Sequence, residues 1–344
     1  MTNKLYEILR QDAVKVSENL EFLSVFSNKK VLITGASGLV GLNMISFFDN
    51  IRGHVFGLEV VGLIRSSREL LLDDFRKRGI QIKAMDLMSK SDLASLGKFD
   101  YIIHAATYGQ PGRFMAEKLT TMKLNTTALF NIFELLKESG TLLNISSSEI
   151  YSGSEELPYK ETSIGTTTPM HPRSCYIEGK RAGETIVNIY RENGISASSV
   201  RLGVTYGPGV WANDQRVVNQ LITRALMEKK LVLLDGGQAL RNYIYVSDAI
   251  EIMINVLRKG GRPVYNVGGQ SSATILNLAE KIGEIVGVKV KTPRIEIKMP
   301  DAPKEVSLDL SSSKEDFKKI NFVNLHEGLL KTVGWLRQIN QGPE

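Results

Sequence analysis

The feature that most constrains this chain is the run GASGLVG, which sets Gly35, Gly38 and Gly41 three residues apart directly after the apolar run KVLIT. Glycines at that spacing permit a tight strand-to-helix turn, let backbone N–H groups approach a phosphate, and let the following helix pack closely on a sheet. The helix that begins there turns its free N–H groups and its positive dipole end towards the anion. A glycine triplet alone is a weak signal. Here it follows a buried-strand run, precedes the helical pattern LVGLNMISFFDN and heads an alternating series. That context predicts a dinucleotide cradle formed by Gly35, Ser37, Gly38, Leu39, Val40 and Gly41.

The series continues with strand VVGLIR, helix ELLLDDFRKRG, and strands QIKAMDL and FDYIIHAA. A long helix over 119–140 leads to strand TLLNISSS, then to a helix carrying HPRSCYIEGKR and a strand SASSVRLGVTYG. Short β-rich runs separated by helices predict a parallel sheet covered on both faces, an α/β fold of the Rossmann-type, doubly wound class. Residues 29–205 are expected to form this NAD(P)-binding domain. Beyond it the alternation weakens, with a strand at LVLLDG and a Pro-rich stretch KTPRIEIKMPDAPKE. Residues 206–344 are therefore read mainly as a smaller C-terminal substrate-binding lobe, with 241–268 returning to the core. Residues 1–28 have helical spacing and read as a lead-in or an oligomer contact.

Composition removes several classes. No window approaches the roughly 18 consecutive apolar residues of a membrane span, and the N-terminal stretch lacks a signal-peptide pattern. The single cysteine, Cys175, leaves no intramolecular disulfide, in keeping with a cytoplasmic setting. A net charge of +6 spread along the chain holds no basic block for a nucleic acid and weakly favours an anionic small substrate. No His, Cys, Asp and Glu spacing suggests a metal.

Two positions suggest chemistry. Tyr176 and Lys180 lie four apart on one helical face. A phenol of pKa about 10 is a poor base at neutral pH, and a neighbouring ammonium, joined by an oxidised nicotinamide, favours its phenolate. Alone this is a common surface pair. Ser146, Ser147, Ser148 and Glu149 stand at a strand end about 30 residues earlier, on the ligand side of a parallel sheet, so a serine hydroxyl can meet the same substrate oxygen. Gly179, between the pair, costs the helix about 1 kcal/mol relative to Ala, which predicts a close neighbour there such as a partner helix. Cys175 lacks a His partner and reads as a packed small residue.

GASGLVG, HAA, SSSEIY, YIEGK and YVSDA, in that order, resemble the extended short-chain dehydrogenase/reductase (NAD-dependent epimerase/dehydratase) family. The resemblance spans about 29–340. It implies a homodimeric enzyme that modifies a nucleotide-linked sugar, UDP-linked by expectation, through transient oxidation at C4. Carried over, Ser147 is the active-site serine, Tyr176 the base and Lys180 the lysine that also holds the nicotinamide ribose. Asn125 is implied to orient that lysine through water, Glu149 to act as a catalytic carboxylate, and Arg241 to meet the substrate's phosphates or carboxylate. Ser148, Arg113 and Arg216 are further expected substrate contacts, and Ala105, Ala106, Asp86 and Leu87 cofactor contacts. His104 is expected to pack near the cofactor rather than act as a base, and Tyr151 to be structural or substrate-lining.

PRSCYIEGKR and RVVNQLI are similar to runs of UDP-glucuronate decarboxylases, which is the leading reading. Ser148 stands where 4,6-dehydratases carry an aspartate. A 4-epimerase, a dehydratase, an NADPH-dependent keto-sugar reductase and a non-catalytic NAD(P)- or RNA-binding relative are the alternatives. The chain departs from the pattern at Val204, at TYGQPGRF after HAA, and in PDAPKEVSLD, which holds Lys304 but lacks the basic residues that the family often carries after PDDP. The second strand's end, at Ile64, Arg65, Ser66 and Ser67, lacks the carboxylate that holds an adenosine ribose. Arginine and serines there suit a 2′-phosphate, so NADP stays open beside NAD, the expected cofactor.

Overall fold

The computed structural model describes residues 2–65, 70–293, 304–319 and 321–340. The strands are β1 Lys30–Thr34, β2 Glu59–Ile64, β3 Gln81–Ala84, β4 Phe99–His104, β5 Leu136–Ser147, β6 Ser196–Leu202 and β7 Val204–Tyr206. Then come β8 Leu231–Val232, β9 Leu240–Tyr245, β10 Val264–Val267, β11 Ser271–Thr274, β12 Val290–Lys291 and β13 Glu305–Val306. The helices are α1 Thr2–Asn19, α2 Leu39–Arg52, α3 Leu70–Lys77, α4 Lys90–Ala94, α5 Pro111–Ala116, α6 Lys118–Asn125 and α7 Thr127–Phe133. They continue with α8 Ser174–Glu192, α9 Val217–Glu228, α10 Val246–Lys259, α11 Ile275–Val286, α12 Ser311–Phe317 and α13 Leu325–Asn340.

Seven parallel strands form the main sheet in the order β10-β6-β5-β4-β1-β2-β3. Strands with both faces covered need apolar side chains on both, as in Val31, Leu32 and Ile33, all fully buried. The sheet is the Rossmann-type one expected. A second sheet joins β11, β9 and β13, with β7 on β9, and β8 pairs with β12. The helix α10 packs on β5 and β6 of the main sheet.

Several local expectations are corrected. The helix expected over 119–140 is two short helices, broken at Thr126, where φ is −122° and ψ −78°. The chain then joins the sheet early, because Phe99 N–H donates to Leu135 O and Leu136 pairs with Phe99. SASSVRLGVTYG is not one strand. It divides at Gly203, β6 staying in the main sheet while β7 leaves for the second. LVLLDG contributes only Leu231–Val232. In the lead-in, the apolar face of α1 (Leu5, Leu9, Ala13 and Val16) is buried within its own chain, against α2, α3, α10 and α13.

Candidate active site

A cleft of about 1250 Å³ opens at the carboxyl ends of the main strands, where the strand order reverses between β1 and β4. Its first half is the glycine loop. Gly35 has φ +66°, and a Cβ there would lie 2.7 Å from the Ala105 carbonyl oxygen. At Gly41 a Cβ would lie 2.1 Å from the Gly35 carbonyl oxygen. Loop, helix and β4 thus meet backbone to backbone. Gly38 is the N-cap of α2 and lays no side chain over its first N–H groups. Those donors and the positive end of a four-turn helix are left for an anion. The residues present therefore fit a dinucleotide's diphosphate.

Ser37, Leu39, Val40, Leu87, Ala105 and Ala106 line the same half. Asp86 lines it too, while its Oδ1 accepts the Met88 N–H at 2.9 Å and so caps the turn after β3. Arg65 donates to the Tyr108 hydroxyl, and Arg113 lies over the same ring, 4.5 Å from its centroid. Ser66 and Ser67 lie outside the described residues, as does the PDAP part of PDAPKEVSLD. Beneath the loop, His104 joins β1 to β4. Its Nε2–H donates to Leu124 O at 3.1 Å, and its Nδ1 accepts from Thr34 Oγ1 at 3.0 Å. Burial pushes it down to about 4, so it is neutral at physiological pH.

The second half gathers the expected reacting groups. Ser147 ends β5, and its hydroxyl accepts the Glu149 N–H at 3.2 Å. Tyr176 and Lys180 descend from α8, both buried. The Tyr176 ring stacks on Phe114, with centroids 4.5 Å apart and planes 9° apart. Cys175 packs beside it, its Sγ 3.6 Å from the Phe114 carbonyl oxygen. Lys180 donates to the Ile145 carbonyl, its Nζ 5.8 Å from the Tyr176 ring centroid. Burial pushes the Tyr176 phenol up to about 12, against the pull of the Ser147 hydroxyl; Glu149 also raises it, while Arg173 and Arg216 lower it. Burial likewise brings Lys180 down to about 7, against the pull of Glu184. The Ser147 hydroxyl and the two arginines do not by themselves draw the phenol towards neutral pH, because desolvation outweighs them.

Ser148, Arg113, Arg216 and Arg241 all line the cleft. Arg216 is held by Asp214 through Nε at 3.0 Å and Nη2 at 2.6 Å. Burial works to raise Asp214, but the Arg216 contacts outweigh it and hold the carboxyl low. Arg241 donates to Leu240 O at 2.7 Å. Asn125 stands one layer behind the cleft wall, donating to Thr107 Oγ1 at 3.1 Å and Thr121 O at 2.8 Å. It explains Gly179: a Cβ there would meet Asn125 Nδ2 at 3.3 Å, so the close neighbour is α6 of the same chain. Tyr151 donates to Asn266 Oδ1 at 2.7 Å and takes the structural role.

Four residues escaped sequence reasoning. Arg173 pairs with Glu149 at 2.6 Å and sits inside the quoted run PRSCY, three before Tyr176. Asp214, two before Arg216, was equally visible in NDQR. Phe114 gave no signal beyond its aromaticity. Trp211 donates through Nε1 to Ser37 O at 2.9 Å, a contact across 174 residues that no local pattern announces. Among the described residues no group of His, Cys, Asp and Glu is placed to hold a metal, and no helix is long and apolar enough to cross a membrane.

The model of the NAD dependent epimerase/dehydratase family matches residues 31–268. UDP-glucuronic acid decarboxylase 1 of Xenopus tropicalis is 30% identical over 329 residues, covering 93% of this chain and 75% of that protein. UDP-glucuronic acid decarboxylase 3 of Arabidopsis thaliana is 30% identical over 311 residues, 88% of this chain and 87% of that one. Among solved structures, UDP-glucose 4-epimerase of Thermotoga maritima superposes with a TM-score of 0.78 at 21% identity, covering 90% of this chain and 99% of that one.

Proposed function

The chain belongs to the NAD dependent epimerase/dehydratase family, and from that premise we propose that it decarboxylates UDP-glucuronate. The observation that carries the reading is the convergence of Ser147, Tyr176 and Lys180 on one cleft with the Gly35–Gly41 cradle. The 30% identity to UDP-glucuronic acid decarboxylases over about nine-tenths of the chain supports the choice of substrate. Bound NAD supplies the hydride acceptor and donor.

The chain's own residues hold and move the protons. Tyr176 exchanges the proton of the sugar hydroxyl at C4, and Ser147 binds the same oxygen. Phe114, stacked on Tyr176, shields that exchange from water. Glu149, fixed by Arg173, faces the sugar with a set carboxylate. Ser148 offers no acid for a departing hydroxyl, which disfavours dehydration.

Incubation with UDP-glucuronate is expected to release one carbon dioxide and one UDP-xylose per substrate, with no net change in cofactor oxidation state. Absence of carbon dioxide, together with turnover of a neutral UDP-hexose, would favour a 4-epimerase and sink this proposal. Trp211 is expected to act in cofactor retention, since its indole pins Ser37 of the glycine loop. A hydrogen bond is worth about 0.5–1.5 kcal/mol net. W211F should therefore lose bound cofactor roughly two- to twelvefold more readily in a dilution assay, and an unchanged release rate would exclude the role.

A further inference from the structure

Behind the reacting groups lies a buried ion pair that the mechanism above does not use. Glu184 is on α8, one turn beyond Lys180 and on the same face. Its Oε1 accepts the Ser146 hydroxyl at 2.5 Å. Arg201, from β6, meets the carboxylate through Nε at 3.1 Å to each oxygen and through Nη2 at 2.8 Å. The side chains of the pair are only 11% and 10% exposed. Arg201 is fixed in turn by the Tyr151 hydroxyl at 2.8 Å and the Glu161 carbonyl at 2.7 Å.

The placement links two elements that must stay in register. Ser146 immediately precedes Ser147 at the end of β5, and Lys180 donates to the carbonyl of Ile145 in the same strand. Glu184 and Lys180, one turn apart, therefore grip two consecutive residues of that strand end, Ser146 and Ile145, directly before Ser147. We propose that Glu184, backed by Arg201, is the positioning residue of this site, fixing the end of β5 against α8 and facing Lys180 with a compensating charge.

The charged and titratable groups around Lys180 are few. On its own helix they are Tyr176 and Glu184, and from β4 comes the neutral His104. From β6 comes Arg201, while Glu149 and Tyr151 of the turn Ser148–Tyr151 act through Tyr176 and Arg201. The strand end and α6 contribute the uncharged Ser146, Ser147 and Asn125. Among the described residues, Glu184 is the group whose charge supports the ammonium against burial. Taking away its charge leaves burial unopposed and Arg201 without its counter-ion.

The inference rests on the reading of Tyr176 and Lys180 as the reacting pair, so its test needs a readout that does not involve the reaction. Nζ of Lys180 can be followed by NMR in full-length protein labelled with [15N]lysine, alongside the pH profile of kcat. E184Q is expected to move the Lys180 titration, and with it the alkaline limb of kcat, towards acid by about 1 unit. Above that limb kcat should fall about tenfold per unit. E184D keeps the charge but shortens the arm; it should leave the titration near wild type and lower kcat. If E184Q does not fold, the double variant E184Q/R201Q carries no unpaired charge and is expected to shift Lys180 in the same direction, by less. An unmoved Lys180 titration in a folded variant overturns the inference. A moved titration with turnover retained in Y176F would instead remove the catalytic reading and leave the pairing intact.

Discussion

Y176F is expected to lower turnover by about 10²–10⁴-fold, the usual worth of a positioned proton-transfer group, while the cofactor stays bound. The substitution removes one oxygen and keeps the ring, so the stack on Phe114 at 4.5 Å survives and the fold has no reason to change. What disappears is the hydroxyl that the Ser147 side chain and the surrounding charges act on. Those influences are large and opposed: burial and Glu149 keep the proton on, while Ser147, Arg173 and Arg216 work to take it off. Steady-state kcat and the cofactor content of the purified variant, measured together, decide the matter. Turnover within about tenfold of wild type would remove Tyr176 from the reaction.

The second large effect belongs to Gly41. An added methyl would lie 2.1 Å from the Gly35 carbonyl oxygen and 2.8 Å from Ala36 Cα, both backbone atoms that cannot swing aside. G41A must therefore push α2 away from the loop that it completes. Overpacking of this kind costs about 1–3 kcal/mol. If that strain falls on the cofactor-competent loop, affinity for NAD drops by roughly 5- to 150-fold. G53A, at the far end of the same helix and away from the cleft, is the matched control, because its added methyl meets nothing nearer than the Asn50 oxygen at 4.0 Å. Isothermal titration with NAD on both variants should separate them, and equal affinities would argue that the close approach at Gly41 does not shape the cradle.

Much of this site was legible because its groups are local in sequence. Gly35, Gly38 and Gly41 fall within seven residues, and Tyr176 and Lys180 within five. Strand alternation supplied the rest of the placement, putting Ser147 at a carboxyl end. What stayed hidden is what depends on distance along the chain. Helix pattern alone could not show that Leu136 would pair with Phe99 and end a helix early. Nor could it tell that Gly203 would send one apolar run into two sheets. A glycine in mid-helix at 179 points to close packing, yet only the fold shows that Asn125 of the same chain fills the space. Arg173 is a different case. It stood in a quoted motif, and its importance emerges only when its partner Glu149, 24 residues earlier, is seen at 2.6 Å.

The N-terminal helix α1 has a consequence for the order in which the molecule assembles. Asp12 accepts from the Tyr245 hydroxyl, 233 positions later, and from Lys331 Nζ, 319 positions later. The helix precedes α10 and α13 along the chain, and these supply part of the surface that buries Leu5, Leu9 and Val16. Its apolar face meets α2 and α3 early and is fully covered only once α10 and α13 have been made. Contacts of such span are slow to close and leave apolar surface exposed meanwhile. The helix is thus fully locked only when α10 and α13 have folded onto it.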